Sequence, residues 1–371
     1  MRIGILTRTL PPYPCGIGDH TVHLASGLRA LGHEVVTIAG MGASENSSLI
    51  VGDDFSASAL NRLRQMISKL NLDHLVLQYT PLMYTHDNGR APRELSPMLE
   101  AIGEQLPTSL IVHETYFRTW RWPPSLLRGT SQKQTLQAMC RSSHNVFTAS
   151  EPLLAEMGYW QLRRAPIRLH IGSNIPLAET NNSALRVRHG LNPNTVLLTL
   201  FGGGNNLKWM LGHVRALERR LRMEDVAHAW LLLGGVPRNW LPIDASVLNP
   251  GYLPLPALSA YLAATDIFLV PHWSGLSAKR GTLIAALQHS LPVVGINGYM
   301  TDPFWNTVGG VELFATHDSE GFLEAVVLLS RDGRRRRFMG DINKAYFEAH
   351  FTWPTLARRF LGSIQNFTMV Q

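Results

Sequence analysis

Cysteine is almost absent: Cys15 and Cys140 are the only two in 371 residues. Two thiols cannot form a disulfide framework and supply no zinc-ligand cluster, which points to a reducing compartment. No stretch approaches the roughly 18 uninterrupted apolar residues of a membrane span. The opening segment, Met1-Arg-Ile-Gly-Ile-Leu-Thr-Arg8, is too short an apolar run for a secretory signal and reads as a first β-strand. The chain has no Asp-x-Asp motif, tandem repeat or low-complexity tract. Acidic residues are the minority, 27 against 34 Lys and Arg, for a formal charge of +7. That excess suits an anionic small molecule, a nucleic acid or an anionic lipid surface. With no basic helix or known nucleic-acid-binding module, nucleic acid is set aside as a partner.

What is present is a soluble composition, 45% hydrophobic, long enough for roughly two to three domains. Short apolar runs at Ile3–Leu6, Glu34–Ala39, His74–Gln78, Ser109–Val112 and Val146–Ala149 read as strands. Val22, Ala25, Leu28 and Leu31 recur at helical spacing between them, as do Leu60, Leu63, Ile67 and Leu70. The pattern restarts after the polar stretch Ala178-Glu-Thr-Asn-Asn-Ser183, with strands at Val196–Phe201, Ala229–Leu233, Ile267–Val270 and Pro292–Gly295. Strand-helix alternation predicts parallel sheets wrapped by helices, in two doubly wound halves joined near residues 173–190. Residues from Arg334 onward read as helical, with a break around Trp353-Pro354.

Open α/β sheets bind ligands at the carboxyl ends of their strands, so the loops there carry the candidate sites. Ile267-Phe-Leu-Val-Pro271 opens into His272-Trp-Ser-Gly-Leu-Ser-Ala-Lys-Arg-Gly-Thr282 and then a helical run. Strand, loop and helix in that order can hold a phosphate on first-turn amides, here those of Gly281 and Thr282, with the charges of Lys279 and Arg280 beside them. The bland alternative is a solvated loop before a buried helix. The first strand leads into Pro11-Pro-Tyr-Pro-Cys-Gly-Ile-Gly-Asp-His20, where Gly16 and Gly18 permit a tight turn and close backbone approach. It is no dinucleotide fingerprint, because the third glycine of Gly-x-Gly-x-x-Gly would fall at Thr21. His113-Glu-Thr115 follows another strand, and Phe201-Gly-Gly-Gly-Asn-Asn-Leu-Lys208 opens the second half. A satisfied structural histidine and a solvated surface lysine are the plain readings of His113 and Lys208.

Taken together, these motifs resemble the retaining nucleotide-sugar glycosyltransferases of family four, which have the GT-B fold. That family's Gly-Gly-Ile-Gly and Gly-His-Glu-Val segments are similar to Cys15-Gly-Ile-Gly-Asp-His20 and Leu31-Gly-His-Glu-Val35. Its His-Asp, Ser-Glu and Asn-Gly elements are matched by His113-Glu114, Ser150-Glu151 and Gly172-Ser-Asn174. Its Gly-Arg-x-x-x-x-Lys is matched at Gly202 and Lys208, with Gly203 in place of arginine. Gly251-Tyr-Leu, Asp266–Pro271 and Phe351-Thr-Trp353 continue the likeness over essentially the whole chain. The departure lies in the Glu, seven residues, Glu signature. Counting back from Pro292, its positions hold Ser277 and Ala285. A lost carboxylate contact costs roughly 1.5–3 kcal/mol. Lys279 and Arg280 are gained beside the diphosphate turn, either as a rewiring toward diphosphate binding or as charge left in a decayed site.

The resemblance implies two Rossmann-like domains with an interdomain cleft: residues 1–172 on the acceptor side, 173–350 on the nucleotide-sugar side, and a C-terminal helix, 351–371, crossing back to the first. It implies His113 as the catalytic residue at the sugar ring. Gly16, Gly18, Lys208, Lys279, Arg280, Gly281 and Thr282 would hold the donor diphosphate, and Gly202, Gly203, Tyr252 and Ser277 the donor sugar and nucleoside. Asp19, Arg118 and Trp120 are acceptor-side candidates, the last two from the Arg/Trp-rich run Arg118-Thr-Trp-Arg-Trp122, which could also be a surface loop with buried tryptophans. The expected partners are a nucleotide-sugar donor and a saccharide or lipid-linked acceptor, with no metal and no cofactor beyond the donor. A cytoplasmic location is expected, with peripheral contact at the inner membrane face. Two other classes stand beside this one: a degenerate member that binds nucleotide, sugar or a partner without turnover, and an unrelated two-domain Rossmann protein such as a dehydrogenase or epimerase.

Overall fold

The computed structural model describes residues 1–42, 48–52, 56–84, 94–116, 123–177, 182–203 and 207–365. They divide into two units. Unit 1 comprises Met1–His170 with Trp353–Gln371, and unit 2 comprises Ile171–Thr352.

Unit 1 is a parallel sheet ordered β3-β2-β1-β4-β5-β6-β7. Its strands are β1 (Arg2–Thr9), β2 (Glu34–Met41), β3 (Ser48–Ile50), β4 (His74–Tyr79), β5 (Thr108–Val112), β6 (Asn145–Thr148) and β7 (Ile167–Arg168). The central strands are buried on both faces, as near-continuous apolar runs require in a covered parallel sheet. One face packs Ile3, Ile5, Val35, Val76, Ile111 and Phe147 against helix α1 (Gly16–Ala30) and the C-terminal helix, Trp353–Gln365. That helix inserts Leu356, Phe360 and Ile364 into the unit 1 core at i, i+4 and i+8. It also meets α1 where Gly27 presents no side chain: a Cβ there would lie 2.9 Å from Ala357 Cβ. The expected return of the chain end to the first half is thus an apolar stripe docked through a small-residue crossing. Helices α2 (Ala57–Ser68), α3 (Leu95–Gly103), α4 (Pro123–Ser142) and α5 (Glu151–Gly158) complete the unit.

Unit 2 is a second parallel sheet, ordered β10-β9-β8-β11-β12-β13. The strands are β8 (Val196–Gly203), β9 (His228–Gly235), β10 (Val247–Gly251), β11 (Ile267–Val270), β12 (Val293–Asn297) and β13 (Val311–Ala315). Alternate residues feed two separate cores. Leu198, Leu200, Trp230, Leu232 and Leu269 face α7 (Leu211–Met223) and α10 (Ser319–Arg331). Leu197, Leu231, Leu233 and Phe268 face α8 (Leu255–Ala263), α9 (Gly281–Gln288) and α11 (Gly333–His350). This is the period of two of a sheet covered on both sides. Helix α6 (Asn182–Arg188) packs with α8, and the C-terminal helix already described is α12.

Both sheets have a topological switch point, where strand order reverses and adjacent connections leave in opposite directions. It lies between β1 and β4 in unit 1 and between β8 and β11 in unit 2. The loops that leave those strand ends therefore define the candidate sites. No helix among the described residues is long and apolar enough to cross a membrane.

Candidate functional site

In unit 2 the loop after β11 runs from Pro271 to Arg280, and α9 starts at Gly281. Arg280 is the N-cap in extended conformation and makes no side-chain cap. The Gly281 and Thr282 amides have no acceptor within the helix, and both residues reach the surface. Arg280 is half-buried, and its Nη2 donates to Ser274 Oγ at 2.6 Å. Lys279 is also half-buried and Lys208 is exposed. The site therefore presents open amides and the positive end of a helix with cations beside it, an arrangement suited to phosphate. His272 is buried, and its Nδ1 has no hydrogen-bond partner. Burial and then the nearby Arg280 charge push its pKa down to about 3, so the ring stays neutral beside the cations.

The neighbouring strand end supplies the other wall. Gly202 and Gly203 of β8 pair in register with Gly234 and Gly235 of β9. A Cβ on Gly203 would meet nothing within 4 Å, whereas one on Gly235 would come to 3.7 Å from the Tyr252 hydroxyl. Two side-chain-free strand ends with a phenol over them expose backbone to a ligand. Sequence reading found Gly202, Gly203 and Tyr252 but missed Gly234-Gly235, whose signal was present as a second strand ending in two glycines. Lys208 sits in a 3-10 turn, Lys208–Met210, ahead of α7 rather than within the following α-helix.

Ser277 does not present itself to a ligand. It is fully buried, and its hydroxyl accepts from the Lys279 N–H at 3.5 Å. The next residue's amide, Ala278 N–H, donates to the buried Asp302 Oδ2 at 2.6 Å. Ser277 thus belongs to the interior of the loop, and the donor-sugar contact expected of it requires an exposure it lacks. Ala285 is equally buried, packed within the α9 core. Neither signature position offers a polar group at the surface.

In unit 1 the switch point holds a polar chain. Gln78, buried at the end of β4, accepts from His113 Nε2–H through Oε1 at 2.7 Å and donates through Nε2 to His20 Nδ1 at 3.2 Å. One amide thereby fixes both ring tautomers: His20 carries its proton on Nε2, and so does His113. The rings meet edge to face, 4.9 Å between centroids. The Tyr84 hydroxyl donates to the Gln78 carbonyl at 2.8 Å and steadies the strand end. Trp353, the first residue of α12, covers the cluster: it lies 5.2 Å from His20 edge-on and stacks on His23 at 5.0 Å. Burial first, then His113 and His23, holds His20 well below the ordinary histidine pKa. Asp19, half-buried beside His23, is raised by burial.

His113 is thus held by a network whose other members, Gln78 and His20, were not singled out in the sequence. His20 lay within the quoted Gly-Ile-Gly-Asp-His segment. Gly16 faces open space, as a ligand-approach residue would. Gly18 has a packing duty instead: a Cβ there would lie 2.6 Å from the Thr9 carbonyl, so α1 could not start against β1. Arg118 and Trp120 lie outside the described residues. Among the described residues no group of His, Cys, Asp and Glu is placed to hold a metal ion.

No family model matches the chain, and no curated protein matches it by sequence. Solved structures do match. Sucrose-phosphate synthase from Thermosynechococcus elongatus is 13% identical, covers 100% of both chains and superposes with a TM-score of 0.72. HepE of Anabaena in complex with UDP and glucose is 12% identical, over 99% of this chain and 100% of its own, with a TM-score of 0.70. The fold is GT-B. A putative UDP-N-acetylglucosamine 2-epimerase from Listeria monocytogenes also matches, at 13% identity, 100% and 97% coverage and a TM-score of 0.60. The GT-B likeness is one of architecture, and the chemistry has to be argued from the sites.

Proposed function

We propose that this chain is a glycosyltransferase that takes a nucleotide-diphosphate sugar as donor. The observation that carries the reading is the open N-terminus of α9 at the unit 2 switch point, with Lys279 and Arg280 beside it. Breaking a glycosidic bond to a nucleoside diphosphate places new negative charge on the leaving phosphate. Amides and cations fixed in advance stabilise that charge without reorganising. The Gly202-Gly203 and Gly234-Gly235 strand ends leave room for the nucleotide, with Tyr252 above them. In unit 1, His113, whose orientation Gln78 sets, is the catalytic residue of this reading on the strength of the motif resemblance. The neighbouring HepE structures contain UDP or UDP-glucose, which makes uridine the first base to test.

Retention of anomeric configuration and metal independence belong to the same proposal and rest on the motif resemblance. So does an acceptor that is a saccharide or a lipid-linked saccharide. With a lipid-linked acceptor, attachment to anionic liposomes is expected at low salt and is lost as added salt shortens the Debye length. The test is release of free nucleotide from UDP-glucose and a panel of other nucleotide sugars, with and without EDTA. NMR of the product anomer reads retention. Calorimetry showing no binding of any nucleoside diphosphate would refute the donor-site reading.

A further inference from the structure

Two loops at the carboxyl edge of the unit 2 sheet hold an aromatic pair in solvent. Trp273, after β11, is 53% exposed, and Tyr299, after β12, is 65% exposed. Their ring centroids are 5.4 Å apart, with 60° between the planes. Leaving two large rings half in water forgoes burial that stabilises most aromatic side chains. Yet the loops that carry them are tightly tied together. Met300 N–H donates to the Ser274 carbonyl at 2.8 Å and Asp302 N–H to the Leu276 carbonyl at 2.9 Å. Thr301 Oγ1 accepts from Leu276 N–H at 3.1 Å and Gly298 N–H at 2.9 Å. Asp302 Oδ2 accepts from Ala278 N–H at 2.6 Å. Gly275 and Gly298 allow the two backbones to touch, since a Cβ on either would overlap the opposite loop. The pair is a fixed, open V of two aromatic faces.

Its neighbours suggest what enters. Ser274 follows Trp273 and receives the Arg280 Nη2 hydrogen bond, so the aromatic pair adjoins the cations of the proposed diphosphate cradle. In a nucleotide sugar the pyranose is bonded directly to the distal phosphate, so a diphosphate held there puts the sugar ring next to the cradle. Ser277, at the position where the signature of the resembling family has a carboxylate for the donor-sugar hydroxyls, is buried and uncharged. A pyranose can instead be held by its C–H face on an aromatic ring, a contact that needs no carboxylate.

We propose that Trp273 and Tyr299 form a stacking platform for the donor's glycosyl ring, replacing carboxylate recognition of its hydroxyls. This rests on the donor-site reading given above. Calorimetry compares UDP with UDP-glucose on wild type, Trp273→Ala and Trp273→Phe, and thermal melting confirms that each exposed-site variant is folded. Loss of one aromatic stacking partner is worth about tenfold in affinity. Trp273→Ala should therefore bind UDP-glucose about tenfold more weakly while UDP changes less than about twofold, and Trp273→Phe should recover most of the loss. Equal weakening of both ligands would show that the ring stacks on the nucleobase, and no change in either would show that it stacks on nothing; each overturns the proposal. If wild type binds neither nucleotide, the donor-site reading fails. The platform is then judged by saturation-transfer NMR with maltotriose. A signal that Trp273→Ala abolishes supports a saccharide platform, and no signal in wild type removes it.

Discussion

Replacing Gln78 by methionine would keep the volume of a fully buried side chain while deleting both hydrogen bonds that it makes. His20 Nδ1 and His113 Nε2 would lose their partner together. A buried polar atom left without a partner costs about 1–3 kcal/mol. His20 is 4% exposed and bears the full cost, whereas the half-buried His113 can recruit water. The expected loss is therefore about 1–3 kcal/mol, concentrated where α1 meets β4. In a chain of two units a single unfolding midpoint is ambiguous. The assay is hydrogen exchange of β1, β4 and α1 amides, with unit 2 amides as the internal reference. Gln78→Glu is the complementary variant. A carboxylate can only accept, so His20 must move its proton to Nδ1, and the added negative charge raises the imidazole pKa. Imidazole NMR should then show His20 titrating at a higher pH than in wild type. If Gln78→Met slows no function and costs less than about 1 kcal/mol in unit 1, packing rather than the amide bridge holds the two rings, and the assignment of fixed tautomers is wrong.

Three further outcomes follow from the same structure. Burial first, and His144 second, lowers the His74 pKa to about 4. The unfolded chain takes a proton near pH 6.5 that the folded chain refuses, so His74 alone should remove roughly 3 kcal/mol between about pH 6.5 and 4. His20 and His272 act in the same direction. His228 acts in the opposite one: burial lowers its pKa, but the hydrogen bonds to Glu218 and the Val226 carbonyl, with the Glu218 charge, together outweigh it and raise the pKa, so its contribution is lost as pH rises through the folded value. Denaturation across pH 4–8 reads the balance, and a flat profile would contradict it. Gly27→Val would drive a side chain into Ala357 and the Trp353 carbonyl. It should cost about 1–3 kcal/mol and make α12 the first site of limited proteolysis. Arg280→Ala should weaken UDP binding about tenfold to a hundredfold, while Ser277→Ala leaves it nearly unchanged.

Much of the fold was legible because parallel strands buried on two faces are written as uninterrupted apolar runs. All nine strands expected from such runs are present. The strands that escaped notice are edge or partly exposed ones. β3 and β7 are three and two residues long. β10 contains Asn249 and Pro250, and β13 is only half-buried along most of its length. Edge strands need neither apolarity on both faces nor a complete ladder, so they leave a weak pattern. The C-terminal helix was legible as a break at Trp353-Pro354, and Leu356, Phe360 and Ile364 show why it has to dock.

The sites were legible in a different degree, because a polar network has no period. Gln78 reads as one residue of an apolar strand, and only the pairing of β1 with β4 and β4 with β5 brings it between His20 and His113. Trp353 is separated from His20 by most of the chain, yet it reaches the cluster through the same α1–α12 crossing that Gly27 permits. Motif reading therefore named the residue that ends each loop and missed those that hold it. At Ser277 the family resemblance implied a ligand contact for a side chain that the loop turns inward. The loops after β11 and β12 display Trp273 and Tyr299, while Ser277 in the first loop and Ala285 in α9 stay inside, beside an open helix N-terminus. Chemistry carried by backbone amides tolerates wide change of side chain, whereas recognition carried by side chains depends on the residues that the loops expose.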